Sequence, residues 1–287
     1  MSKIAIVVDS SFQIKEEQYK DFFVLPLVVT EVINGKTKDY LDMIDIDSEQ
    51  VSEKLKEGIE IKTSMVPPGR TMALLDRISP LYDQVFMMCI PSKLSSMFNV
   101  VSNLAKDYPN VKVFDQSMVA TMSTWMVSEI MKARDEGILT EEWLREYLKK
   151  FVKNTALLMV VPDVKFLAKG GRISNGKALL VKMLKLNIMI SLDERGLVFY
   201  DKAKSIEGVV KKFKTFFGER LGKIDPAHAC FLNQKNADEK FNINAIKEAL
   251  IEAFKFSGFD VEHANIPSAI VAHTGPNYIA LAISNKE

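Results

Sequence analysis

The residues best suited to chemistry lie just past the middle of the chain, in the stretch Phe-Leu-Ala-Lys-Gly-Gly-Arg-Ile-Ser at 166–174. The adjacent Gly170 and Gly171 let the backbone turn tightly and approach a ligand closely. Arg172 offers a planar set of donors that matches a carboxylate or a phosphate. The pattern at 177–185 predicts a helix, whose first amides would also face an anion. The stretch therefore fits an anion site, or equally a basic loop before a helix.

Two hydroxyl-rich segments carry further candidates. Thr63 and Ser64 precede the rigid Pro67-Pro68 pair. Ser92, Ser95 and Ser96 follow an apolar strand-like run and open a predicted helix. Hydroxyls beside helix amides bind carboxylate or phosphate oxygens. The same residues are also common helix caps, and the sequence favours neither role.

Histidine is scarce, and only one of the three histidines is a site candidate. His228 and His263 lie in strand-like runs, whereas His273 precedes Thr-Gly-Pro, a turn that would fix the imidazole. Read alone, His273 is a loop histidine. The sequence has no Gly-x-Ser-x-Gly elbow, P-loop, dinucleotide fingerprint, zinc-protease motif or metal-type spacing. It therefore predicts anion-binding groups with little machinery for bond cleavage.

Composition excludes several classes of protein. The net charge of +1 over 287 residues gives no electrostatic basis for binding nucleic acid or an anionic membrane. No apolar run approaches the roughly 20 residues of a membrane span, and the first residues lack a signal-peptide pattern. Cys89 and Cys230 lie in apolar strand-like runs, which fits a reduced, cytoplasmic protein.

The element pattern predicts two α/β domains. In the first half, predicted strands at 4–8, 23–30, 84–90 and 111–114 alternate with helices that end near 58, 78 and 105 or span 117–134 and 139–153. This alternation favours a mainly parallel sheet covered on both faces. In the second half, which follows an apolar run at 156–161, predicted strands lie at 187–192, 197–202, 227–232, 261–266 and 278–284 and predicted helices at 206–221 and 237–256. This pattern favours a mixed sheet with helices on one face. The domains are predicted at 1–157 and 158–287.

In their order along the chain, these motifs resemble the DegV family of fatty-acid-binding proteins, which serve as the lipid-carrying subunit of bacterial fatty acid kinase. The matching segments are 6–10, 63–68, 91–96, 114–117, 166–174 and 273–276. The Lys-Gly-Gly-Arg-Ile-Ser and His-Thr-Gly-Pro segments are the most specific. The resemblance implies a three-layer α/β/α N-terminal domain, a two-layer α/β C-terminal domain, and a long-chain fatty acid in the cleft between them.

The resemblance also implies roles for individual residues. Thr63 and Ser95 would bind the carboxylate of a fatty acid such as palmitate, stearate or oleate, with Ser64 and Ser96 beside them. Arg172 and His273 would assist at the acyl phosphate, with Gly171 and Thr274 nearby. The phosphate would come from a separate ATP-dependent fatty acid kinase, so the chain would be a non-enzymatic carrier in phospholipid metabolism, without a cofactor.

Departures from the family pattern leave alternatives open. Side chains stand where the family usually has glycine, at Ser96, Asn277 and Ala280 and near 121–124. They would narrow the tunnel or change the preferred acyl chain. A stand-alone acyl ester hydrolase or acyltransferase using Ser95 and His273 is one alternative function. A lipid-sensing regulator that acts through a partner protein is another.

Overall fold

The computed structural model describes residues 2–162, 164–172, 186–234, 237–254 and 261–286. The chain divides into two compact units. Unit 1 comprises residues 1–47, 60–152 and 267–269, and unit 2 comprises residues 48–59, 153–266 and 270–287.

Thirteen strands are described: β1 (Ile4–Asp9), β2 (Phe22–Leu25), β3 (Val28–Ile33), β4 (Lys36–Leu41), β5 (Glu60–Ser64), β6 (Gln84–Met88), β7 (Val111–Phe114), β8 (Thr155–Val161), β9 (Asn187–Asp193), β10 (Gly196–Ala203), β11 (Pro226–Asn233), β12 (Glu262–Ala264) and β13 (Ile279–Asn285). The described helices are α1 (Ser48–Lys56), α2 (Pro68–Ile78), α3 (Met97–Leu104), α4 (Thr121–Asp135), α5 (Glu141–Asn154), α6 (Lys165–Gly170), α7 (Ile206–Leu221), α8 (Ile243–Ala253) and α9 (Ser268–Thr274). Among these helices, none combines the length and apolar character that a membrane span requires.

Unit 1 contains a parallel sheet with strand order β2-β1-β6-β7. Every residue of β1 is buried, as expected for a strand covered on both faces. The predicted parallel α/β architecture is confirmed. A second, antiparallel sheet has the order β4-β3-β5, and its β3–β4 hairpin turns at Asn34-Gly35, where both residues have positive φ.

Two boundaries predicted for unit 1 are wrong. The predicted strand at 23–30 is two strands, β2 and β3, in different sheets. The break falls at Pro26, because proline has no amide hydrogen to donate to a strand ladder. The helix predicted at 117–134 begins only at Thr121, since Ala120 has φ 58° and ψ −141°, which a helix cannot contain.

Unit 2 contains a six-stranded sheet with order β10-β9-β8-β13-β11-β12. Only the β11–β12 pair is parallel, which confirms the predicted mixed sheet. Phe213 and Phe217 of α7 and Ile246 and Leu250 of α8 are buried in one core with the sheet residues. The helix predicted at 237–256 is shorter, because Asn242 adopts a left-handed conformation immediately before α8, and residues 255–256 lie outside the described ranges.

The carboxyl end of β1 is organised by a buried carboxylate. Asp9 accepts hydrogen bonds from the Ser11 amide at 2.9 Å, the Ser11 hydroxyl at 2.5 Å and the Ile90 amide at 2.6 Å. The neighbouring Ser10 hydroxyl donates to Asp42 Oδ2 at 2.7 Å. Since Asp9, Ser10 and Ser11 are fully buried, this polar segment joins the ends of β1 and β6 from within the unit.

Burial raises the pKa of Asp9 from 3.8 to about 6, although the hydrogen bonds from Ser11 and Ile90 act in the opposite direction. Burial also raises the pKa of Asp42. A folded-state pKa above the unfolded value means that the folded protein holds its proton more tightly. The resulting stabilisation is complete below the unfolded pKa and is lost as the pH rises through about 6.

We therefore predict that the wild type loses stability relative to Asp9→Asn as the pH rises from below 4 to above 6. The difference between their free energies of unfolding should change by about 3 kcal/mol over this range. Chemical denaturation across this pH range measures the difference. An unchanging difference for Asp9→Asn would contradict the raised pKa of this buried carboxylate.

Candidate functional site

The predicted hydroxyl residues of unit 1 lie at the end of a strand and in the loop before a helix, and these two segments are in contact. Thr63 and Ser64 end β5, where Thr63 is partly buried and Ser64 is exposed. Ser95 and Ser96 precede α3, and the Ser96 hydroxyl donates to the Met65 sulfur at 3.8 Å. The structure therefore brings together two segments that the sequence suggested independently.

Ser95 combines a local structural contact with the capacity to bind a ligand. Its hydroxyl oxygen accepts a hydrogen bond from the Met97 amide at 3.2 Å, in the first turn of α3. Its own amide donates to the carbonyl of Pro91 at 3.1 Å. A hydroxyl that accepts one hydrogen bond can still donate its proton. Helix capping and anion binding are thus compatible roles for this residue.

The loop that carries Ser95 is held by the segment after β7. Asp115 accepts from the Ser92 amide at 3.0 Å and from the Ser92 hydroxyl at 2.5 Å. The side-chain amide of Gln116 donates to the carbonyl of Cys89 at 2.8 Å. Ser92 is therefore committed to a structural contact, and the Asp-Gln pair fixes the path of the chain that leads to Ser95. No pattern in the sequence predicts these contacts of Asp115 and Gln116.

In unit 2, the paired glycines end a helix that the sequence did not predict. Helix α6 stops at Gly170, and Gly171 follows in the left-handed conformation with φ 68°. Arg172 comes next and is partly buried; its Nη1 donates to the carbonyl of Gly170 at 2.5 Å. The helix predicted at 177–185, together with Ser174, lies outside the described residues.

His273 is a helix residue, so its interpretation as a loop histidine is wrong. It is the penultimate residue of α9, whose residues 269–272 are all buried. This uniform burial leaves no 3.6-residue period in the sequence from which the helix could be predicted. The hydroxyl of Thr274 donates to the carbonyls of Ile270 and Gly275 at 3.1 and 3.3 Å. The Thr274 side chain thereby closes the end of α9.

Helix α6 lies directly against the turn that follows His273. Gly275 has φ +85°, and a Cβ atom there would lie 2.4 Å from Cδ2 of Phe166. Glycine is required both by this backbone angle and by the Phe166 ring. The contact holds Phe166 of α6 on the Gly-Pro turn, and His273 itself packs against Gly170. Arg172 and His273 are thus neighbours despite their separation in the sequence.

The electrostatics of this pair make the histidine neutral. Burial, and then the charge of Arg172, lower the pKa of His273 from 6.5 to about 4. At pH 7 the pair therefore presents one permanent positive charge and one neutral imidazole, which carries a single N–H donor and one acceptor nitrogen. Such a pair can bind an anion and accept a hydrogen bond from it. Among the residues described, no group of three or more His, Cys, Asp and Glu side chains is arranged to hold a metal ion.

Comparison with known proteins confirms the resemblance to the DegV family. A family model described as "Uncharacterised protein, DegV family" matches residues 3–286. The DegV domain-containing protein MG326 of Mycoplasma genitalium is 27% identical over 305 residues, which cover 100% of both chains.

Solved structures show the same fold. A DegV family protein from Thermus thermophilus, described by its fatty acid binding, has a TM-score of 0.81 at 23% identity, over 99% of this chain and 100% of that chain. A DegV family protein from Eubacterium eligens loaded with heptadecanoic acid has a TM-score of 0.75 at 16% identity, over 99% of this chain and 100% of its own. With a family model that matches almost every residue, this chain belongs to the DegV family.

Proposed function

We propose that this protein binds one long-chain fatty acid and presents its carboxylate to a separate ATP-dependent fatty acid kinase, which forms the acyl phosphate. The observation that carries the proposal is the pairing of Arg172 with a neutral His273 against Gly170. A guanidinium beside an imidazole suits an acyl phosphate, and in this family the ligands of two structural neighbours are described as fatty acids. The acyl chain would be palmitate, stearate or oleate, or a chain of similar length.

The carboxylate is bound by hydroxyls in this proposal. Thr63 and Ser95 donate to its oxygens, and the adjoining Ser64 and Ser96 complete the polar surroundings. The contact between residues 65 and 96 supports this assignment, because it holds the end of β5 against the loop before α3. A carboxylate removed from water needs such donors, since an unpaired buried charge is very costly.

Arg172 and His273 act at the phosphate end. Arg172 keeps its charge at every physiological pH and matches phosphate oxygens with parallel N–H groups. His273, neutral because of its lowered pKa, would donate one hydrogen bond or accept one without adding charge. Gly171 and Thr274 adjoin these residues and shape the backbone there. The chain supplies substrate to the kinase and forms no acyl phosphate by itself.

The acyl chain would supply most of the binding energy, in an apolar cleft between domains 1–157 and 158–287. Burying about 16 carbons at roughly 0.8 kcal/mol per CH₂ gives an upper bound on the order of 10 kcal/mol. The entropy lost on association lowers the net value, and binding below micromolar concentration remains consistent with it. We place this activity in the cytoplasm, since Cys89 and Cys230 are both buried among apolar residues, a use of cysteine that fits a reduced compartment.

The first of two predictions from the proposed function concerns the ligand. Protein purified from a bacterial host should contain a co-purified fatty acid, which mass spectrometry detects after denaturation. Thr63→Val and Ser95→Ala should each weaken fatty acid binding about 10- to 100-fold, because each removes a hydrogen bond to a charged group.

The matched control for Thr63→Val is Thr37→Val, at an exposed position of the same antiparallel sheet, and it should bind normally. Wild-type protein that is repeatedly empty and fails to bind added fatty acid would overturn the proposal. Unchanged affinity in both hydroxyl variants would remove Thr63 and Ser95 from the carboxylate site.

The second prediction separates binding from phosphorylation. Arg172→Ala and His273→Ala should retain lipid, because the acyl chain dominates affinity, but should lose support of acyl phosphate formation by the kinase. Since the pKa of His273 is about 4, the wild-type rate should show no inflection from this imidazole between pH 6 and 8. Full activity in both variants would refute their role.

A further inference from the structure

The two adjacent glycines of the site are required for different physical reasons. Gly171 has φ +68°, and a Cβ atom placed there would meet nothing within 4 Å. It is needed for its backbone angle, in which a side chain is strained. Gly170 is the last residue of α6, and its φ lies outside the left-handed range. The backbone at Gly170 would accept alanine, so a need for glycine there can come only from the surrounding side chains.

That constraint is the imidazole of His273. A Cβ atom at position 170 would lie 2.2 Å from Nδ1 of His273, and 3.1 and 3.2 Å from its Cε1 and Cγ. Contacts below 3.0 Å are essentially never made by real Cβ atoms. The two longer distances are nearly equal, so the Nδ1 corner of the ring points at the place where a side chain would begin. Nε2 is therefore on the side of the ring that faces away from Gly170.

The same residue also contacts the other half of the pair. The Gly170 carbonyl accepts a hydrogen bond from Nη1 of Arg172 at 2.5 Å. Gly170 thus contacts both side chains. The imidazole of His273 lies where a Cβ atom would be, and the guanidinium of Arg172 donates to the Gly170 carbonyl. The charge of Arg172, next to this contact, also lowers the pKa of His273.

We propose that Gly170 is a positioning residue for His273 and Arg172. The Nδ1 edge of His273 occupies the space that a side chain at position 170 would fill, and the Gly170 carbonyl holds Arg172. Nε2 is then the ring nitrogen that faces the ligand's phosphate. This inference rests on the proposed function for its consequence in phosphoryl transfer. The seating of the ring is a property of unit 2 alone and can be tested without any ligand.

The test is Gly170→Ala, followed by NMR of the histidine side chains in the full-length protein. Only three histidines are present, so their ring signals are readily assigned. The displaced imidazole should show changed ring shifts and a pKa raised from about 4 towards 6.5, while His228 and His263 serve as internal controls. Gly218→Ala, within α7 where a Cβ atom meets nothing within 4 Å, should leave all three unchanged.

A double-mutant cycle covers the case in which Gly170→Ala folds poorly. Because the clash is with the imidazole, Gly170→Ala should lower Tm in the wild type and have little effect in a His273→Ala background. An equal loss of Tm in both backgrounds, or unchanged His273 signals in a folded Gly170→Ala protein, would overturn the inference.

Activity gives the final readout and keeps the two proposals apart. With fatty acid bound at wild-type level, Gly170→Ala should lower kinase-dependent acyl phosphate formation at least about tenfold. Normal acyl phosphate formation despite a displaced His273 would refute the positioning role. A wild-type protein that binds no fatty acid would instead refute the proposed function, and the NMR and Tm results would still decide how Gly170 seats the ring.

Discussion

A carboxylate is buried in a protein only where hydrogen-bond donors replace the water around it. This requirement applies both to the fold and to the proposed site. Asp9 shows how the protein meets it in its own core. One hydroxyl and two backbone amides surround this carboxylate, and its pKa still rises to about 6. Neutral donors therefore reduce the cost of burying a carboxylate without cancelling it. A fatty acid bound through Thr63 and Ser95 would face the same cost.

In this fold, the candidate hydrogen-bond donors lie near the ends of strands and helices. In unit 1, residues 92 and 115 fix the loop before α3, and residues 65 and 96 connect that loop to the end of β5. In unit 2, close packing at Gly170 and Gly275 brings α6 against the end of α9. Hydroxyls are thus collected in one unit, and a guanidinium and an imidazole in the other. In the proposed function the former bind the carboxylate and the latter the phosphate.

Much of this was predictable from the sequence, because buried strands and amphipathic helices leave clear periodic patterns. The parallel sheet of unit 1, the mixed sheet of unit 2 and most helices follow from those patterns. The α9 helix was missed because residues 269–272 are uniformly buried. The break at Pro26 was missed because apolar residues flank it on both sides. The reason for Gly170 could not be found at all, since it depends on a side chain more than one hundred positions away.

In the proposed function, hydroxyls at Thr63 and Ser95 bind the carboxylate, and Arg172 and His273 act at the same headgroup. The most direct measurement is a crystal structure of the protein with bound stearate. We expect the carboxylate oxygens within hydrogen-bonding distance of Thr63 and Ser95, with Nε2 of His273 and the guanidinium of Arg172 facing the same end of the ligand. A carboxylate bound elsewhere, or four side chains too far apart to share one headgroup, would contradict the account.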